Sequence, residues 1–175
     1  MSKIPHIHLD HDDFHLAGIG KVSVAWSYLE GGIERTIWVA GRFSEQRGLA
    51  VTTHMSIPAR LDAMCSMVRL AFPNSDLLEQ VTKQRKHIQN NLAPRRNEIV
   101  HSRLHYLKDL EAYFRSTYKA RGEVKAMTEK AELMEYEEAA KEILKTTNEM
   151  MDTLNQLIEQ VAATDGVPPP WPNRP

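Results

Sequence analysis

The distribution of glycine and proline along the chain constrains its fold more than any other feature. The 175 residues include 8 glycines and 9 prolines, and five of the prolines fall in the last twelve residues. Glycine and proline tend to interrupt helices, and between them apolar residues recur at steps of three and four, the spacing of an amphipathic helix. The sequence therefore predicts an all-α fold, a bundle of about five helices with a long C-terminal helix and flexible termini.

The chain is long enough for one well-buried domain and too short for two of typical size. Residues 1–13 are polar and rich in histidine and aspartate, and the last twelve residues, "TDGVPPPWPNRP", cannot continue a helix. We therefore predict a flexible N-terminal segment (1–13), a single helical domain (14–163) and a disordered proline-rich tail (164–175).

Charge, cysteine content and hydropathy exclude several classes of protein. A formal net charge of -1 argues against a protein that coats nucleic acid by charge alone. The lone cysteine, Cys65, cannot form a disulfide framework, and it is predicted to be buried and inert. No window approaches the ~20 apolar residues of a membrane span, and the N-terminus does not resemble a secretory signal. A cytoplasmic protein that makes no membrane contact is expected.

Residues 16–41 are compatible with two structures. A β-hairpin would use the alternation from Val22 to Tyr28, with a turn at Gly31 and Gly32. A helix would place apolar residues at steps of three and four, namely Ile19, Val22, Trp26, Leu29, Ile33 and Ile37. The helix is favoured because Glu34, Arg35 and Thr36 interrupt the second strand. A close helix crossing is then expected at the two glycines.

Capping residues and periodicity predict the remaining helices. One begins after Ser56 and ends near Phe72, and the next, capped by Ser75 or Asp76, runs from Leu77 to about Leu92. Pro94 is expected to separate it from a fourth helix, about 95–118. The last helix is predicted over about 124–163, and it carries a glutamate-rich outer face.

The stretch "APRRNEIVHSR" (93–103) carries the strongest functional signal. Arg95 and Arg96 follow Pro94 at a predicted helix start, where two cations oppose the helix dipole unless an anion such as phosphate joins them. Asn97 and His101 share one helix face, and the long side chain of Arg96 can reach the same space. His105 is expected one helical turn further along this face.

These residue types suit cleavage of a phosphodiester without a metal ion. A histidine can take and return protons near neutral pH, whereas an arginine stays charged and binds phosphate through two N–H groups. Arg96, Asn97 and His101 are therefore the candidate catalytic residues, and no cofactor is expected.

The middle of the chain is basic although the whole chain is nearly neutral. From Lys83 to His105 there are six Lys or Arg residues and one acid, Glu98. This is the pattern of a small RNA-contacting surface, although basic solvent-exposed faces are also common. The candidate RNA-binding residues are Lys83, Arg85, Arg95, Arg103 and His105.

The segment "RRNEIVHSR" resembles the R-x(4–6)-H motif of HEPN domains, including the polar residue after the arginine. The resemblance extends over about residues 16–160, and only the six-residue motif is specific. It implies a helical bundle that forms homodimers with a composite site. It also implies a metal-independent ribonuclease, often a toxin or defence effector, that can have an antitoxin partner. By this resemblance Arg96 stabilises the scissile phosphate, Asn97 orients the site, and His101 is the general acid or base.

Two alternatives to catalysis stay open from the sequence. The first is a non-catalytic module of the same kind that binds a nucleotide or RNA, or only dimerises. The second is a helical interaction protein that acts through its last helix.

The N-terminal segment "HIHLDHDDFH" contains metal-ligand residue types, namely His6, His8, His11 and His15, with three aspartates. Because nothing in the sequence indicates a rigid scaffold there, no metal site is predicted.

Overall fold

A computed structural model describes residues 12–121 and 123–165. Its helices are α1 (Asp13–Ala40), α2 (Glu45–Thr52), α3 (Ile57–Ala71), α4 (Asp76–His87), α5 (Ala93–His101) and α6 (Leu133–Asp165). Its strands are β1 (Arg103–Leu107), β2 (Ala112–Arg121) and β3 (Glu123–Lys130). A π-helical segment, Ile88–Leu92, joins α4 to α5, so residues 76–101 form one helical stretch. The predicted helical bundle with a long C-terminal helix is confirmed, and a small sheet is added to it.

Helices α1 and α6 pack along each other and form the centre of the bundle. The apolar stripe predicted for α1 is buried, including Leu29, Ile33 and Ile37. Gly32 lies against α6, where a Cβ would be 3.3 Å from the Met150 sulfur. The helical interpretation of residues 16–41 is therefore confirmed. The close helix crossing is found at Gly32, whereas a Cβ at Gly31 would meet nothing within 4 Å.

The helix predicted after Ser56 is also confirmed. The Ser56 hydroxyl accepts a hydrogen bond from the Ala59 N–H at 3.5 Å and caps α3. Its buried face consists of Leu61, Met64, Cys65 and Val68, which follow at helical spacing. Burial raises the pKa of the Cys65 thiol, which agrees with an inert side chain.

Pro94 lies in the first turn of α5, but it does not separate two helices as the sequence predicted. A proline inside a helix lacks the N–H donor, and its ring crowds the carbonyl four residues earlier. The π segment just before it widens this turn, and the Ala93 N–H donates to the Ile88 carbonyl. Because the wider turn has room for the proline ring, α4 and α5 continue as one helical stretch.

The helix predicted over residues 95–118 is wrong beyond His101. Ser102 adopts an extended conformation, and β1 then pairs antiparallel with β2, with Arg103 opposite Ser116 and Leu107 opposite Ala112. The segment 112–118, "AYFRSTY", is rich in aromatic and hydroxyl side chains that favour a pleated strand. His105 therefore lies on β1 and not one helical turn after His101.

The start predicted for the last helix, near residue 124, is also wrong. Residues 123–130 form β3, which pairs antiparallel with β2 in a sheet of order β1-β2-β3. Polar and apolar side chains alternate along part of this segment, as in a half-exposed strand. Helix α6 begins at Leu133 and is unbroken for 33 residues, a length of about 50 Å at the usual rise.

Helix α1 begins at Asp13 and is capped by Asp12, at the end of the N-terminal segment. The Asp12 carboxylate accepts hydrogen bonds from the N–H groups of Phe14 and His15 and caps α1. Chiefly because the His15 N–H donates to it, the pKa of Asp12 is below its ordinary value. The remaining residues of the segment predicted to be flexible (1–11) and most of the predicted tail (166–175) lie outside the described residues.

Gly48, in α2, is a position where an added side chain would clash directly with the core. A Cβ there would lie 2.4 Å from Cγ of Trp38, whose indole N–H donates to the Thr52 hydroxyl. We expect Gly48→Ala to lower the free energy of unfolding by about 2 kcal/mol through overpacking, measured by urea denaturation. In the matched control Gly20→Ala, the added Cβ meets nothing within 4 Å, and a gain of up to ~1 kcal/mol is expected. Equal stability of both variants would contradict this prediction.

Candidate active site

Arg96, Asn97 and His101 meet at the C-terminal end of α5. One terminal nitrogen of the Arg96 guanidinium, Nη1, donates to Asn97 Oδ1 at 3.0 Å and lies 2.9 Å from His101 Nε2. His101 and Asn97 are exposed to solvent, and Arg96 is half-buried. The structure thus brings together the three side chains that the sequence singled out as catalytic candidates.

The contact between Arg96 and His101 restricts the tautomer of the imidazole. A guanidinium can only donate hydrogen bonds, so a hydrogen bond here has Nε2 of His101 as the acceptor and the ring proton on Nδ1. A substrate phosphate that binds the same guanidinium would free this nitrogen to take a proton.

The Arg96 guanidinium packs over the ring of Trp26 in α1. The guanidinium carbon lies 5.5 Å from the centroid of the indole ring, within the range of a cation–π interaction. The Nε atom of Arg96 is buried and has no hydrogen-bond partner among the described residues. Stacking therefore fixes the inner part of Arg96, and its terminal nitrogen is directed at His101.

A polar network orients Trp26 in turn. Its indole N–H donates to Glu30 Oε1 at 2.6 Å, and Arg60 of α3 lies 3.5 Å from Glu30 and 3.1 Å from Glu34. The sequence placed Trp26 only on the apolar face of α1. Trp26 and Glu30 are one helical turn apart, and this spacing is the sequence signal for their hydrogen bond. No such signal exists for the contact between Trp26 and Arg96, because these residues are distant in sequence.

A free helix N-terminus at Arg95 and Arg96, which the sequence predicted as an anion site, is not found. Since the chain is helical through the π segment into α5, this region is not the start of a helix. The backbone N–H groups that a free end would offer to phosphate bond to preceding carbonyls in such a continuous stretch. Any anion bound at Arg96 would be held by side chains.

The five residues proposed for RNA contact lie on α4, α5 and β1, and two of them form ion pairs within the fold. Arg95 is paired with Glu138 at 3.3 Å and Glu142 at 3.2 Å on the acidic face of α6. Arg85 is paired with Asp62 of α3 at 2.6 Å. The remaining three are exposed, with Lys83 on α4 and Arg103 and His105 on β1.

A buried arginine connects the site helix to the sheet. Arg115 of β2 lies 3.0 Å from Glu135 of α6, 3.3 Å from Glu129 of β3 and 3.7 Å from Glu98 of α5. Burial alone would lower the pKa of Arg115, but the charges of Glu135, Glu98 and Glu129 outweigh this and raise it. This cluster could not be predicted from the sequence, because the sheet that creates it was not predicted.

Histidine and acidic residues do not form a metal site in the part of the chain that the structure describes. His15, the one described member of the N-terminal histidine group, is buried between Asp12 and the Ala131 carbonyl, at 2.9 and 3.4 Å. Its ring also stacks on Tyr113, with centroids 4.2 Å apart. His15 thus ties the start of α1 to the sheet. His6, His8 and His11 lie outside the described residues.

Comparisons of the whole chain with protein-family models, with curated proteins and with solved structures gave no match. Among the residues that the structure describes, none of the helices has both the length and the apolar character needed to cross a membrane.

Proposed function

We propose that this protein is an endoribonuclease of the HEPN type that cleaves RNA without a metal ion. The observation that carries the proposal is the 2.9 Å contact between Arg96 and His101 on an exposed helix end. A fixed guanidinium beside an imidazole supplies both charge stabilisation and proton transfer for a phosphodiester. The R-x(4–6)-H spacing of "RNEIVH" supports the same assignment.

The reaction uses the two side chains in sequence. The Arg96 guanidinium binds the non-bridging oxygens of the scissile phosphate, and its hydrogen bond to His101 Nε2 is given up. The freed nitrogen removes the proton of the 2′-hydroxyl, and the 2′-oxygen attacks phosphorus. The bond to the 5′-oxygen of the next nucleotide breaks, and the imidazolium returns the proton to that oxygen. The products are a 2′,3′-cyclic phosphate and a 5′-hydroxyl.

The homodimer with a composite site is part of this proposal. Several large apolar side chains are exposed near the sheet, namely Phe14, Tyr106, Leu107, Leu110 and Met134. Tyr113 contacts both His15, the neighbour of Phe14, and Tyr106, so these elements meet at one end of the molecule. Exposed apolar groups of this kind are typical of protein interfaces. A role in the cytoplasm as a toxin or phage-defence component, opposed by an antitoxin, would fit this activity.

The purified protein is expected to cut single-stranded RNA in the presence of EDTA. The products are analysed by mass spectrometry, and we expect a 2′,3′-cyclic phosphate, because the mechanism uses the neighbouring 2′-hydroxyl. The control is a DNA oligonucleotide of the same sequence, which should stay intact because it lacks the 2′-hydroxyl nucleophile. Intact RNA after prolonged incubation would contradict catalysis and would favour the alternative, a binding or dimerisation module on the same site.

A further inference from the structure

One open groove lies between the end of α3, the turn that follows it and one side of α4. Its volume is about 520 Å³, within the range of ligand sites. Three cations from the two helices line it, together with polar groups of the connecting turn and of α4: Arg69, Lys83, Lys86, Asn74, Ser75 and Thr82. The groove is therefore rich in hydrogen-bond donors and carries positive charge.

The cations of this groove differ from the others on the same helical stretch. Arg85, which lies between Lys83 and Lys86 in sequence, is paired with Asp62 at 2.6 Å, and Arg95 is paired with two glutamates of α6. Among the described residues, no carboxylate forms an ion pair with Arg69, Lys83 or Lys86. Glu79 also lines the groove but does not pair with them. The groove therefore retains a net positive charge, whereas carboxylates neutralise the nearby cations Arg85 and Arg95.

We propose that this groove binds the sugar–phosphate backbone of RNA as a second contact, separate from Arg96 and His101. The inference rests on the proposed function, since it takes RNA as the ligand. Lysine and arginine side chains contact phosphates, and the groove has no aromatic side chain on which a base could stack. Binding here is consequently independent of base sequence. The recessed shape favours a single polyanionic strand over a flat anionic membrane surface.

The position of the groove suits an RNA that also reaches the candidate active site. Lys86 and Arg96 are ten residues apart on the uninterrupted stretch 76–101, which is about 15 Å along the helix axis. A short RNA strand can span this distance. The groove would then hold the strand at a site away from the scissile phosphate and raise affinity without taking part in the chemistry.

The test measures binding of labelled single-stranded RNA to full-length His101→Ala protein over a series of salt concentrations. Each lost phosphate contact lowers the slope of log K against log salt by about 0.7 for a single strand. Adding Lys83→Ala and Lys86→Ala to this protein is expected to reduce the slope by about 1.4. The two substitutions should also weaken the binding of oligo(U) and oligo(A) equally. The matched control, Lys141→Ala with Lys145→Ala on α6, removes the same charge and should leave the slope unchanged.

The possible outcomes separate this proposal from the proposed ribonuclease. A slope equal to that of the control pair, no RNA binding at all, or binding to vesicles of anionic phospholipid but not to RNA would overturn the groove assignment, even if the wild-type protein cleaves RNA. A reduced slope with an inactive wild-type protein would keep the groove as an RNA site and overturn the catalytic proposal alone.

Discussion

Replacing His101 with alanine is expected to slow RNA cleavage by about 100- to 10,000-fold, the usual contribution of general acid–base catalysis. The imidazole beside Arg96 is the group placed to remove the 2′-hydroxyl proton, and alanine leaves no base at this position. Single-turnover cleavage of labelled RNA measures the chemical step directly. Substrate affinity should change little, because the phosphate is held mainly by the Arg96 guanidinium.

The controls for His101→Ala separate lost chemistry from lost structure. His101 is exposed at the end of α5, so the free energy of unfolding should stay within about 0.5 kcal/mol of wild type. His54→Ala removes another exposed histidine, in the turn before α3, and should leave cleavage unchanged. Arg96→Lys keeps the charge but loses the forked donors and the stacking on Trp26, and a loss of about 100-fold is expected. Cleavage by His101→Ala at near wild-type rate would exclude this histidine as the base.

Helices α1, α3 and α4 could be predicted because their signals are local, whereas the short helix α2 was missed. Capping residues such as Ser56 and a period of three to four are properties of neighbouring residues. Residues 102–132 could not be predicted in the same way. Leu104, Leu107 and Leu110 have helical spacing, and only the pairing of β1 with β2 reveals the strand. That pairing is a tertiary contact, and it overrides a weak local preference.

The same distinction applies to the candidate site. Arg96, Asn97 and His101 lie within six residues, so the sequence alone could bring them together. The ring of Trp26 under Arg96 comes from α1, and the carboxylates that neutralise Arg95 come from α6. A list of basic residues taken from the sequence therefore does not show which cations, such as Arg85 and Arg95, are already paired in the fold.

Replacing Arg115 with alanine is expected to lower the free energy of unfolding by about 3 kcal/mol, the lower end of the range for breaking a buried ion pair. The side chain is almost fully buried, and it joins three carboxylates from α5, β3 and α6. Without it, Glu98, Glu129 and Glu135 repel one another where the sheet meets the helices. Because these carboxylates are partly exposed to water, the expected loss of unfolding free energy lies at the lower end of that range. Urea denaturation at neutral pH measures the change.

The pH dependence distinguishes this electrostatic loss from a loss of packing. A hydrogen bond with Glu98, and then the charge of Arg115, hold the pKa of Glu129 below its ordinary value. A lowered carboxyl pKa stabilises the folded state at neutral pH, and this contribution disappears as the pH falls through the folded pKa. The stability difference between wild type and Arg115→Ala should thus shrink in acid. In Arg115→Met, which retains the apolar stem, the loss should be smaller but should show the same trend. A difference that stayed constant from neutral pH down to acid would assign the role of Arg115 to packing and not to its charge.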